Sequence, residues 1–167
     1  MTPADATDVA KVHVAAWKET YRGIMPQRVL DSLSIADRAS ALHRRLRRVS
    51  PVHYFVAEIN NEIVGFAIIG PSRDEDSSND DAELMAIYVH PAAQRRGAGQ
   101  ALLSKAKAAA KQLGCRRLVL WVLKNNSAGR TFFRHNGMRQ ESTRGTYKIA
   151  GESLVKMRYS CPIETER

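Results

Sequence analysis

Ala82-Glu83-Leu84-Met85-Ala86-Ile87-Tyr88-Val89 runs straight into His90-Pro91-Ala92-Ala93-Gln94-Arg95-Arg96-Gly97-Ala98-Gly99. The first part is apolar enough for a central strand, and His90-Pro91 ends it. From Gly99 the period changes. Leu102, Ala106, Ala109 and Leu113 form one helical stripe, and Gly114 stops it. A strand therefore feeds a turn, and the turn feeds a helix. Gly97 and Gly99 let the backbone of that turn approach a ligand closely. The unpaired N–H groups of the helix start point at it, and the helix dipole adds positive potential. Arg95 and Arg96 stand beside it. Together these features suit a pyrophosphate. The plainer reading is a tight glycine turn with solvated arginines. The pattern is neither a Walker A loop nor the GxGxxG of dinucleotide folds.

Further segments follow on either side. Val9, Val12, Ala16 and Thr20 keep a helical period, widened by Val14, Trp17 and Tyr21, with Asp5 as cap and Gly23 as stop. Ser34 caps a second, basic helix over 35–49, closed by Pro51. Tyr54 to Ile59 and Glu62 to Gly70 form a hairpin through Asn60-Asn61. The polar stretch 71–81 reads as a long, mobile acidic loop. After the central strand and helix come a buried strand, Arg117 to Leu123, and a short helix, Ser127 to Asn136, ended by Gly137. A last hairpin joins Thr143–Ile149 to Ser153–Ser160. A strand, a helix and another strand in succession imply a parallel crossover. The hairpins imply antiparallel flanks. The expectation is one α/β domain over 1–167, with a mixed sheet and helices on both faces.

Composition bounds the function. Of 167 residues, 44% are apolar and 26% charged, which is ordinary for a globular chain. No apolar run reaches the ~20 residues of a membrane helix. The N-terminus lacks the basic and apolar regions of a secretory signal. Cys115 and Cys161 are too few for a disulfide framework, so reduced thiols in a cytoplasm are the expectation. No zinc-type spacing occurs, so no metal is expected. The net charge is +9. Such a charge suits an anionic partner: nucleic acid, a membrane surface or a phosphate-bearing cofactor. The acidic block from Asp74 to Asp81 argues against nucleic acid.

Gln94-Arg95-Arg96-Gly97-Ala98-Gly99 resembles the Q/R-x-x-G-x-G/A motif of the GNAT superfamily of N-acetyltransferases. The preceding Leu84 to Pro91 is similar to that family's fourth strand. Leu120 to Ala128, followed by Phe132-Phe133 and Gly137-Met138, resembles its N-x-x-A…FY…GF segment. His13 to Gly23 resembles the first helix of one branch. The resemblance spans nearly the whole chain. It implies a GNAT fold: a central, mixed, mostly antiparallel sheet of six to seven strands with strands four and five splayed. It also implies acetyl-CoA as cosubstrate. In the family, the splayed strand bonds the pantetheine arm through its backbone, which by position means Ile87, Tyr88 and Val89. The Val89 N–H is then the group that stabilises the developing oxyanion. Arg95, Arg96, Gly97, Ala98, Gly99 and Gln100 wrap the pyrophosphate. Asn126 meets the pantetheine arm and Phe133 packs beside it. Each has a bland alternative: Ile87 and Val89 are core, Asn126 is a helix cap, and Phe133 packs the interior.

The implied reaction is attack of a neutral amine on the thioester carbon. An alkylammonium must first lose a proton. Glu83 is the candidate base, directly or through water, and solvated loop charge is its plainer role. Many relatives protonate the leaving thiolate with a Tyr seven residues after the Asn. Here that position is Phe133, which has no donor. Tyr88 and Tyr147 are substitutes without motif support, and water is another. The five histidines, among them His13 and His135, read as helix-face or surface residues. The family's first strand is missing or very short, because the chain reaches its helix cap at Asp5. The neighbouring strand is then an exposed edge, which fits a homodimer. The leading expectation is acetyl transfer to a primary amine of a small molecule or of a protein or peptide. A non-catalytic acyl-CoA sensor and a basic nucleic-acid-binding domain are the alternatives. The acidic loop attracts a cationic acceptor or merely solubilises.

Overall fold

A computed structural model describes residues 1–164. The helices are α1 (Ala6–Thr20), α2 (Gln27–Asp31), α3 (Ile35–Leu46), α4 (Ala98–Gln112) and α5 (Ser127–His135). The strands are β1 (His53–Ile59), β2 (Glu62–Pro71), β3 (Asp81–Val89), β4 (Arg117–Leu123), β5 (Arg139–Ile149) and β6 (Glu152–Pro162). They form a six-stranded mixed sheet in the order β1-β2-β3-β4-β6-β5.

The contacts define two compact units. The first comprises 1–68 and 86–105, and the second 69–85 and, of the described residues, 106–164, so β2, β3 and α4 run through both. In the first unit, α1 packs on α3 and buries Val9 and Val12 against Phe66. The β1–β2 turn is Asn60-Asn61, both at positive φ (52° and 63°). That is the hairpin geometry that favours asparagine. In β2, Gly65 is required by close approach. A Cβ there would lie 3.0 Å from the Tyr88 carbonyl oxygen and 3.0 Å from Leu102.

In the second unit, β4 pairs with antiparallel β6 along its whole length, Arg117↔Pro162 to Leu123↔Lys156. Its parallel ladder with β3 covers only Asp81↔Arg117 to Glu83↔Val119. Beyond Glu83, β3 has no register partner on β4. This is the splay expected of the family's strands four and five.

The remaining differences from expectation have local causes. The second helix ends at Leu46, not Val49. Arg44, Arg45, Arg47 and Arg48 crowd like charge into its last turns, and Val49 is fully exposed, so nothing apolar holds another turn. β5 starts at Arg139 because Arg139 and Gln140 pair with Ser160 and Tyr159 before a register shift ahead of Arg144. The loop after β2 is pinned rather than mobile. Arg158 takes Asp74 and Asp76, Trp121 donates to Asp74, and Arg117 takes Asp81.

Candidate active site

β3 changes character halfway. Asp81 to Leu84 are buried, whereas Met85 to Val89 are only half-buried, although β3 is an interior strand of the sheet. An interior strand normally covers its apolar side chains. Ile87 and Val89 are therefore partly bare where the β4 ladder has already stopped. In the first unit, the end of β3 is tied down by the His90 N–H donating to the Val64 carbonyl (2.7 Å). The His90 side chain accepts from the Ala92 N–H, and Gln94 Nε2 donates to the Val89 carbonyl at 3.4 Å.

The turn after it is open. Gln94, Arg95, Arg96 and Gly97 are all exposed. Arg95 and Gly97 both sit at positive φ (59° and 85°), so the backbone is bent into a tight concavity. A Cβ on Gly97 would meet nothing within 4 Å. The Gly97 carbonyl accepts from the Ala101 N–H (2.9 Å), which makes Gly97 the first residue engaged by α4. The N–H groups of the next residues face the turn without intrahelical partners. Of these residues Ala98 is buried, Gly99 is half-buried and Gln100 is exposed. Two guanidinium groups, a free helix start and an accessible glycine are a donor set that fits a diphosphate.

The same unit places an aromatic cluster on Tyr88 that the sequence did not announce. His13 stacks on Tyr88 (centroids 5.5 Å, 14° between planes) and meets Trp17 edge-on at 5.4 Å. Tyr21 Oη and Tyr88 Oη are hydrogen-bonded at 2.9 Å. His13, Trp17 and Tyr21 are four apart, so they share a helix face, and that spacing was the available signal. His13 Nε2 and Trp17 Nε1 are buried without a hydrogen-bond partner. Burial, then the charges of Arg38 and Arg45, lowers the His13 pKa from 6.5 to about 4. The unfolded chain therefore takes up this proton first as pH falls. Stability drops from about pH 6.5 down to about pH 4 and levels off below that. The loss should reach roughly 2–3 kcal/mol by pH 4.5. His13→Phe should abolish that part of the slope, seen in melting temperature against pH. An unchanged slope would remove His13 as its source.

In the second unit, Glu83 is 4% exposed and held by Arg73. Arg73 Nη2 donates to Oε1 (2.6 Å), and Arg73 Nε and its backbone N–H donate to Oε2 (3.0 and 3.2 Å). Asn126 caps α5, its Oδ1 accepting from the Gly129 N–H at 2.9 Å. Phe133 is buried against Phe132 and Tyr159. Arg130 Nε donates to Tyr159 Oη, which donates to Gln140. Ile87, Tyr88, Val89 and the 95–100 turn thus lie in the first unit, and Glu83, Asn126 and Phe133 in the second. Among the described residues, no group of three or more His, Cys, Asp and Glu side chains is arranged to hold a metal. No described helix is long and apolar enough to cross a membrane.

The chain as a whole is similar to known proteins. Residues 14–138 match the model of the acetyltransferase (GNAT) family. An uncharacterised N-acetyltransferase of Bacillus subtilis, YuaI, is 33% identical over 95% of this chain and 88% of its own length. A spermidine N(1)-acetyltransferase of Thermoplasma acidophilum is 26% identical over 85% of this chain and 87% of its own. Among solved structures, a PaiA N-acetyltransferase of Thermoplasma acidophilum in complex with coenzyme A superposes with a TM-score of 0.76. It is 24% identical, with 95% of this chain and 94% of that one covered. The chain belongs to the GNAT family of acetyltransferases.

Proposed function

We propose that the protein transfers an acetyl group from acetyl-CoA to a primary amine of a small molecule, protein or peptide, by direct attack of the amine. The half-bare end of β3, leading into the Arg95–Gly97 turn at the start of α4, carries this reading. When bound, acetyl-CoA supplies the activated acyl group. Ile87, Tyr88 and Val89 offer it backbone groups, the Val89 N–H serving the developing oxyanion. Arg95, Arg96, Gly97, Ala98, Gly99 and Gln100 hold the diphosphate, and Asn126 and Phe133 flank the pantetheine arm. The coenzyme A complex of the structural neighbour supports the cosubstrate.

Glu83 accepts the amine's proton through water. An ionised carboxylate has about four acceptor sites. Arg73 fills three, and the one left serves a proton-carrying water. Glu83→Gln should lower kcat about 100-fold with little change in KM for acetyl-CoA. The assay is amine-dependent release of CoA thiol across a panel of acceptors. Undiminished turnover in Glu83→Gln would remove Glu83 from the mechanism.

A second reading is a sensor that binds acyl-CoA without turnover. It is favoured by the engagement of Glu83 with Arg73 and by Phe133, which has no proton donor, at the position where the family resemblance implies a Tyr. CoA binding with no amine-dependent thiol release would select it.

A further inference from the structure

We infer that the acceptor carries an anionic group at the end away from its amine, a carboxylate or a phosphate, and that Arg38 and Trp17 bind it. This rests on the acetyl-transfer reading and gives it a substrate class. Arg38 lies on α3, half-buried, its guanidinium 5.3 Å from the Trp17 ring centroid. It has no carboxylate partner among the described residues. A guanidinium stacked on an aromatic face keeps its in-plane N–H fork for a planar anion. Trp17 Nε1 is a donor only, and it is buried without an acceptor. A buried donor left unmade is costly, so the indole calls for an acceptor that the chain itself does not supply. An oxyanion on the Arg38 fork reaches Trp17 Nε1 only with a shift of the indole, because that atom is closed to solvent.

The patch is also correctly connected. His13 touches both Trp17 and Tyr88, and Tyr21 bonds Tyr88, which is one of the strand residues assigned to the acyl end. All of these side chains belong to the first unit. Burial and the nearby charges of Arg38 and Arg45 keep His13 uncharged, so the patch accommodates negative rather than additional positive charge. Much of the attraction for a polycation is meanwhile engaged within the chain. In the second unit Asp74 and Asp76 are bound by Arg158, Asp81 by Arg117 and Glu83 by Arg73. The acidic loop is thus in part a structural knot, although Glu75 and Asp80 stay exposed.

The test uses primary amines in series matched for chain length and differing only at the far end. One arm ends in carboxylate, one in phosphonate, one in carboxamide and one in a second ammonium, as in γ-aminobutyrate, γ-aminopropylphosphonate, γ-aminobutyramide and putrescine. Thiol release is read at saturating acetyl-CoA, and CoA binding is measured separately by calorimetry. The better anionic arm should exceed the carboxamide and the diamine at least tenfold in kcat/KM. Which of the two arms leads identifies the anion. Arg38→Gln should lower kcat/KM for that amine roughly 30-fold and bring its ratio to the carboxamide near unity. Arg38→Lys should restore part of the preference, because it returns the charge without the fork. Carboxamide or diamine turnover equal to that of the anionic amine overturns the inference and leaves acetyl transfer standing. So does an Arg38→Gln variant that lowers all arms alike. CoA binding without turnover of any amine overturns acetyl transfer and this inference with it.

Discussion

Gly97→Glu should remove measurable CoA binding, a loss of about 1000-fold or more, while leaving the fold cooperative. The backbone at Gly97 has φ +85°, where an L residue is strained by roughly 1 kcal/mol. That cost is bearable for a domain of this size. A side chain there also meets no neighbour, since nothing lies within 4 Å of its Cβ position. The damage is electrostatic. The new carboxylate projects from the residue whose carbonyl opens α4, beside Arg95 and Arg96. It satisfies the free N–H groups of the helix start itself and repels an incoming diphosphate. Losing two or three charge-assisted hydrogen bonds at about 1.5–3 kcal/mol each gives the predicted factor. Gly97→Ala separates the two effects, because it carries the same backbone strain without the charge. It should weaken CoA only a few-fold. Calorimetry with CoA on both variants decides the matter. Undiminished affinity in Gly97→Glu would take the diphosphate away from this turn, and with it the proposed cosubstrate site.

The turn was legible because everything that makes it is local. An apolar strand, a proline, two glycines and an alanine-rich helix follow one another within a single stretch of chain, and local rules read such runs well. The hairpin at Asn60-Asn61 and the cap at Asn126 were legible for the same reason. What the sequence concealed is long-range pairing. Arg158 meets Asp76 from 82 positions away, and Tyr88 meets Tyr21 from 67. Such partners are chosen by strand register and helix packing, which leave no periodic trace. Arg73 and Glu83 are only 10 apart, yet the bend that joins them lies in a stretch whose polar composition reads as solvated loop. The acidic block illustrates the consequence. Read as composition it is a flexible attractant for cations, and read as structure three of its acids, Asp74, Asp76 and Asp81, are ligands for two arginines and an indole.

Arg158→Met should cost about 3 kcal/mol of stability and lower the melting temperature by roughly 10 °C. Arg158 is 4% exposed and bonds three carboxylates and a hydroxyl. Nη1 and Nη2 take Asp76 (2.6 and 2.7 Å), Nη1 takes Asp74 (3.2 Å), Nε takes Glu141 (2.7 Å) and Nη2 takes Thr143 (3.0 Å). Its guanidinium also lies 5.7 Å from the Trp121 centroid. Methionine fills much of the volume, so the loss is not chiefly a cavity. It is the uncompensated charge of acids that the arginine had gathered. The cost stays near the lower end of the range for broken buried pairs, because the Asp76 side chain is 59% exposed and water can replace the arginine there. The Asp74 and Glu141 side chains, at 16% and 21%, are not so easily rehydrated. The sign of the pH effect follows from the same contacts. The hydrogen bond from Arg158 holds the Asp76 carboxyl below its usual range. Burial works against ionisation of Glu141, but hydrogen bonds from Ser160, Arg117 and Arg158 outweigh it and hold that group low as well. Carboxyls with a depressed folded-state pKa stabilise above their unfolded value and lose that contribution as pH falls through the folded one. The wild type should therefore weaken steeply below about pH 4, and Arg158→Met should weaken less over the same interval. Arg158→Lys keeps one charge but cannot fork to three acids, so it should fall between the two. Equal acid sensitivity of Arg158→Met and wild type in urea unfolding at pH 7 and pH 3.5 would show that the acidic loop is held by something other than Arg158.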